Sequence, residues 1–329
     1  MTYRKLISSC LVAVLSLAAL TLPASAATAT PNSGNGLKIS PVVTNLTINP
    51  GQTQTVTVHV QNVTSAAVTL QVFINDFTAT DDESGTPALL LNPNQYAPSH
   101  SLKRFVTPIN NLTLQAGEAR DVKAIVSVPK DAPGGGYYGA VRFAPASASG
   151  ENNITLSASV GSLILVKVPG TIREDVKLLS LDVHHESSGA QVIFTTSKGL
   201  IAAARFQNNG DVQEQPFGKI LLKQGTKQIA AYEINDMTPR GNVLPDSIRK
   251  FTVNLDKVGA FGKYTVVGNF GYGTNGQLLT GQTTFYVIPI FIIVVVAAVI
   301  LLILFCVLIL PRLVRSYNRR VVQRATHRR

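Results

Sequence analysis

The sequence predicts an all-β protein: two tandem immunoglobulin-like β-sandwiches followed by one C-terminal transmembrane helix. Three observations predict it. Apolar and polar residues alternate through long stretches, as in TQTVTVHVQN, where Val56, Val58 and Val60 share one face; a period of two marks a half-buried strand. No segment of the mature chain ahead of the apolar C-terminal run carries a helical stripe. Near the carboxyl end, VIPIFIIVVVAAVILLILFCVLIL runs without a charge.

The ends of the chain set its expected location. In residues 1–26, Arg4 and Lys5 precede the apolar run Leu11–Leu22, and Ala24-Ser25-Ala26 offers small residues for cleavage, the layout of a secretory signal. Residues 27–36, ATATPNSGNG, read as a flexible leader. The apolar run is assigned to a span over 285–310; its core, 290–310, reaches roughly 31 Å at about 1.5 Å per residue, the thickness of a hydrocarbon layer. The tail 311–329 holds seven arginines and no acid. Cationic flanks remain cytoplasmic, so the tail, with Arg312, Arg315, Arg319 and Arg320 as its anchor, is expected inside and everything before the span outside.

That topology accounts for the charge. Of 29 basic residues, two lie in the signal and seven in the tail, leaving 20 against 18 acids in the exported part. The net charge of +11 therefore reflects topology and argues against a nucleic-acid partner. Cys10 and Cys306 lie in the signal and the span, so the exported region can form neither disulfides nor thiolate metal sites.

Within the exported region, residues 37–169 are expected to form the first sandwich and 171–284 the second. NLTINPGQTQTVTVHV (45–60) aligns without a gap on NLTLQAGEARDVKAIV (111–126). Each copy reads strand, glycine turn, strand, one hairpin used twice. In the second sandwich, strands are predicted in DVKLLSLDV, AQVIFTTS, ARFQN, GKILLKQ, RKFTVNL, KYTVVGNF and TTFYV.

GGGYYG (134–139) and GYGTNG (271–276) both satisfy G-x-G-x-x-G. A dinucleotide site needs a helix after those glycines, yet AVRFAP alternates and meets Pro145. The first glycine run instead resembles the corner of an immunoglobulin-type sandwich, where a tyrosine at the start of a strand bonds back to the chain upstream. Asp131, Gly136, Tyr137, Tyr138 and Gly139 form this corner, and Tyr264 opens a second. GYGTNG reads as a hairpin turn.

Candidate chemistry is sparse. Asp76, Asp81, Asp82 and Glu83 gather near Gly85 without the spacing of a dedicated calcium loop, and a solvated loop is expected. His184-His185-Glu186 reads as a strand end. No hydrolase signature lies outside the span, so the chain is expected to be neither an enzyme nor the holder of a cofactor. Asn45, Asn62, Asn111 and Asn153 begin N-x-T triplets, common in Asn/Thr-rich β-sequence.

The order of parts, with SPVVTNLTINPGQTQTVTVHVQN, the DF…TP loop and VPKDAPGGGYYGAVRF, resembles the WxL-interacting surface proteins of Gram-positive bacteria. The resemblance implies a first domain that binds peptidoglycan, a second that binds a host or surface ligand, and a tether for secreted WxL-type proteins. The chain has no Trp, so a W-x-L motif would belong to the partner. A membrane-held chaperone for secreted subunits and an exported wall hydrolase are the rival expectations.

Overall fold

The structure, a computed structural model, describes residues 36–146, 159–186 and 188–315. The expected signal (1–26), all but the last residue of the leader, the turn SASGENN, and Arg319 and Arg320 lie outside the described residues.

The first half contains β1 (Leu37–Ser40), β2 (Val43–Thr47), β3 (Thr53–Asn62), β4 (Val68–Ala79), β5 (Pro87–Leu89), β6 (Leu112–Leu114), β7 (Ala119–Ser127), β8 (Gly135–Pro145) and β9 (Val160–Val168). One sheet has the order β1-β3-β7 and the facing sheet β2-β9-β8-β4-β5, with β6 also on β4. The second half contains β10 (Val176–His185), β11 (Ile193–Phe194), β12 (Leu200–Asn208), β13 (Phe217–Gln224), β14 (Lys227–Ile234), β15 (Ser247–Asn254), β16 (Gly262–Tyr272) and β17 (Gln277–Val287). Its sheets are β10-β12-β15 and β11-β17-β16-β13-β14. The all-β fold class is borne out.

Alternation drives both halves. Val56, Val58 and Val60 point into a core with Leu70, Leu114, Phe143 and Ile164. Phe194, Phe206, Tyr264, Phe270 and Phe285 fill a separate core among the described residues of the second half. Each fully buried side chain of this size contributes about 1.5–3 kcal/mol. Phe285 is packed edge-on by Phe194 at 5.7 Å and stacked by Tyr264 at 5.5 Å.

The internal echo is a different device from the expected hairpin. β3 and β7 pair antiparallel, and Thr57 lies opposite Lys123, its own counterpart in the alignment. A local two-fold axis thus passes through that pair. The preceding strands go elsewhere: β2 pairs β9 and β6 pairs β4, both in the facing sheet. Each copy is therefore a corner that carries the chain from one sheet to the other. Gly51 and Gly117 make the turns with φ of 81° and 73°, a region glycine enters without a Cβ penalty.

In the second half, one predicted strand is shortened and one unassigned segment proves to be a strand. AQVIFTTS yields only β11, a two-residue strand parallel to β17. KQIAAYEI, unassigned from sequence, forms β14 at a sheet edge. β17 ends at Val287, the last residue of the predicted strand TTFYV, where Phe285 and Val287 are fully buried in the core. The helix α1 (Ile290–Leu304) follows after two residues and continues through a π-helical turn, Phe305–Ile309. The helical run Ile290–Arg315 has a mean hydropathy of 3.8 in its most apolar window and makes no buried contact there.

Candidate functional site at the junction of the two sandwiches

The strands deliver one end of each sandwich to a common junction. β4 ends, β8 begins and β9 ends there, facing the 209–216 and 235–246 loops. Glycine chemistry makes the approach feasible. A Cβ on Gly134 would stand 2.8 Å from Gly170 Cα, and one on Gly136 would occupy the place of the Tyr138 hydroxyl. With hydrogen there, Gly136 N–H donates to Asp211 O at 2.7 Å. Tyr138 Oη donates to Gln213 Oε1 at 2.9 Å. Burial pushes the Tyr138 phenol far above its ordinary range, so it remains a neutral donor.

A second link comes from the β4–β5 loop. Arg205 Nε donates to Glu83 Oε2 at 2.7 Å, and its Nη2 pairs with the other carboxylate oxygen. That hydrogen bond holds the Glu83 carboxyl below its usual range. Lys250 N donates to Glu83 O at 2.8 Å, so one residue grips both β12 and β15.

Between these links opens a cleft of about 480 Å³, with Phe77, Tyr138 and Leu244 among its apolar lining and Thr80, Asp81, Ser99, His100 and Asp246 among its polar lining. Its backbone is unusual. Four non-glycine residues among those described have left-handed φ, and three line this cleft: Glu83 at 60°, His100 at 62° and Asp246 at 55°. Such conformations persist where surrounding bonds over-determine them, and they concentrate at functional sites. His100 Nδ1 meets Gly136 O at 2.7 Å, and His100 O accepts from Tyr138 N at 2.8 Å. Asp246 N donates to Asn208 O at 2.9 Å.

Asp76 anchors the wall that carries His100. It is fully buried and accepts from Ala97 N at 2.9 Å, Ser101 Oγ at 2.6 Å and Lys103 N at 2.8 Å. The four acids read as a loose cluster thus separate. Asp82 is bonded within its own loop by Thr80 and Ser84, which lower its carboxyl to about 2, Glu83 pairs with Arg205, and Asp81 faces the cleft.

A second cleft of about 500 Å³ lies at the same junction, lined by Asn45, Lys167, Glu174, Glu214, Arg240 and Tyr272 among others. Glu214 is buried and accepts from Gly273 N at 3.1 Å. Burial first, then the charge of Glu174, raises its carboxyl to about 7. Lys167 Nζ lies 3.6 Å from Glu174.

The residues singled out from sequence fall in three places. Tyr137 donates to Pro133 O at 2.9 Å and Tyr264 to Phe261 O at 3.1 Å; Asp131 is exposed and takes no part in either bond. Gly136 and Tyr138 serve the junction, and Gly139 packs on Leu102. Arg312 and Arg315 lie exposed at the end of the helix. Asn62 is fully buried, donating to Ala66 O and Gln115 O, and Asn208 plays the same part in the second half, donating to Val212 O and Val243 O. Sequence reasoning missed His100, Arg205, Asn208, Glu214 and Asp246, which come together only through the fold.

Residues 44–145 match the family described as WxL Interacting Protein, peptidoglycan binding domain. Over that segment the family resemblance read from the sequence is borne out. No curated protein matches the chain. Among solved structures, the class 5 fimbriae chaperone CfaA is similar over 76% of this chain and 98% of its own, at 12% identity and TM-score 0.36. The E. coli chaperone DraB is similar over 77% and 96%, at 13% and 0.33. A complex of the Salmonella enterica SafA pilin with the SafB chaperone gives 77% and 95%, at 12% and 0.33. These scores are low, and the fold rests on the sheets described above.

Proposed function

We propose, from the match of residues 44–145 to the peptidoglycan binding domain of WxL-interacting proteins, that this chain is a non-catalytic surface protein that binds cell-wall peptidoglycan at the junction cleft. The observation that carries the assignment is the convergence of Glu83, His100 and Asp246, all left-handed, on one cleft. Glu83 and His100 lie inside the matched segment. An apolar floor with hydroxyl, carboxylate and imidazole groups at its rim suits a ligand made of sugar rings and short peptides, which present both apolar faces and hydrogen-bonding edges. The sandwiches, as units 37–169 and 171–284, act as wall-binding and surface-ligand modules. The apolar helix anchors them from outside the membrane, and the arginine tail, including Arg319 and Arg320, holds the inner face.

The edge strand β14 offers unpaired backbone groups to a secreted WxL-type partner by strand addition. Purified peptidoglycan mixed with the full chain in detergent tests the wall reading. Wild-type protein sediments with the polymer, and Ser99→Trp, which fills the cleft from an exposed position, stays in solution. Equal sedimentation of both refutes the assignment of the cleft.

A further inference from the structure

The end of the second sandwich opposite the junction presents apolar side chains for which its own core has no use. Val192, Ile193 and Phe261 are 59%, 58% and 59% exposed, and Tyr286 is 37% exposed. The register brings them together. Ile193 lies opposite Tyr286, and Tyr286 lies opposite Lys263, so the three form one row across the sheet on its outer face. Gly262 pairs with Val287, which sets Phe261 one step beyond the last residue of β17.

This row has a fixed relation to the apolar helix. β17 ends at Val287 and the helix begins at Ile290. The three Cα steps from Val287 to Ile290 reach at most roughly 11 Å. A bilayer's headgroup layer is about 5–7 Å deep on each side of the hydrocarbon. With the helix in a membrane, the end of the sheet is held within a few ångströms of the lipid surface, inside the reach of an exposed side chain. The pairing brings Lys198, Lys223, Lys227, Lys257 and Lys263 to strand ends and turns at this end, with Glu186 and Asp256, and Asp256 is already engaged by Lys257 at 3.3 Å and by the Tyr232 hydroxyl. Lys263 Nζ stands over the Tyr286 ring at 6.0 Å. Aromatic residues beside lysines are the composition that settles at a membrane interface, and the surplus of lysine favours anionic headgroups.

We infer that Val192, Ile193, Phe261 and Tyr286 form a lipid-docking surface that seats the second sandwich on an anionic bilayer. The sandwich then stands upright, because β16 runs 11 residues from this end to the junction. At about 3.3 Å per residue the junction cleft is held roughly 36 Å above the lipid. The inference rests on the membrane-anchor reading given above.

The chain has no Trp, so single indoles report position. The variants Phe261→Trp, Leu278→Trp and Phe291→Trp are made in the full chain and reconstituted in vesicles of phosphatidylglycerol with bromine-labelled phosphatidylcholine. Leu278 is 80% exposed at the far end of β17, and Phe291 lies in the helix. F291W and F261W are expected to lose most of their emission relative to vesicles without bromine, and L278W none. Quenching of F291W with no quenching of F261W overturns the docking surface while leaving the anchor in place. A blue-shifted but unquenched F261W also overturns it and points to coverage by a second copy. An unquenched F291W refutes the anchor and the inference with it.

Discussion

Arg205 and Glu83, 122 residues apart in the chain, meet through a two-point contact in which Arg205 Nε donates to Glu83 Oε2 at 2.7 Å. The pair bridges the two sandwiches and closes one side of the junction cleft. Both side chains keep some solvent, at 35% and 21% exposure, so its strength is that of a well-oriented surface pair. A double-mutant cycle with Glu83→Ala and Arg205→Ala is expected to give a coupling of about 0.5–1 kcal/mol in urea unfolding. Because the Glu83 carboxyl is lowered from 4.5, its contribution is fully present above that pH and disappears as acid titrates the folded-state group. A coupling unchanged at pH 3 contradicts this account.

Asp76 carries more of the stability. Three donors converge on its buried carboxylate, and removal leaves each without a partner. Asp76→Ala is expected to lower unfolding free energy by about 2–4 kcal/mol, with Asn intermediate because its amide keeps only one acceptor oxygen. The same substitution should release the 97–103 segment, seen as faster amide exchange at Ser101 and Lys103. Stability loss without faster exchange there would show that the cleft wall is held by other contacts.

Glu214 gives the opposite pH dependence. Its folded-state carboxyl is raised from 4.5 to about 7, so the folded chain binds more protons than the unfolded chain between those values. Stability therefore falls as pH rises through that window. The cleft admits water, which moderates the effect to on the order of 1–2 kcal/mol. Glu214→Gln is expected to flatten the stability profile between pH 5 and pH 7, measured by urea unfolding at matched ionic strength. An unchanged slope contradicts burial as the cause.

Much of the fold was legible, and the reasons for the gaps are physical. Val56, Val58 and Val60 announced a strand because one face is fully buried. β14 gave no such signal: it is an edge strand, and its Ile229, Ala230 and Tyr232 are only half-buried. Val192 and Ile193 extended the apparent strand AQVIFTTS because exposed apolar residues mimic core ones in sequence. The echo at 45–60 and 111–126 was visible as a pattern, while the facing of Thr57 and Lys123 depended on which sheets the preceding strands join. At the site, the glycines of GGGYYG pointed to a tight corner. That Gly136 and Tyr138 reach Asp211 and Gln213 could not be read from local spacing. His100 is of a type enriched at left-handed φ and Glu83 is not, but neither sits in a turn motif that fixes its backbone, so the shared conformation that marks the cleft emerged only from the fold.

Orientation has its own test. With the sandwiches outside, protease added to intact cells digests residues 37–284 and spares the arginine-rich tail, as followed by antibodies to each part. Digestion of the tail with protection of the sandwiches contradicts the arrangement.

The central claim, that the junction cleft takes up peptidoglycan, is tested most directly by photo-crosslinking. A benzophenone amino acid replaces Ser99 in the cleft wall or Ser65, in the turn after β3 at the other end of the same sandwich. Each full-length variant is irradiated with purified peptidoglycan and digested with muramidase before mass spectrometry. The account predicts muropeptide adducts at position 99 and none at position 65; adducts at 65 with none at 99 would contradict it.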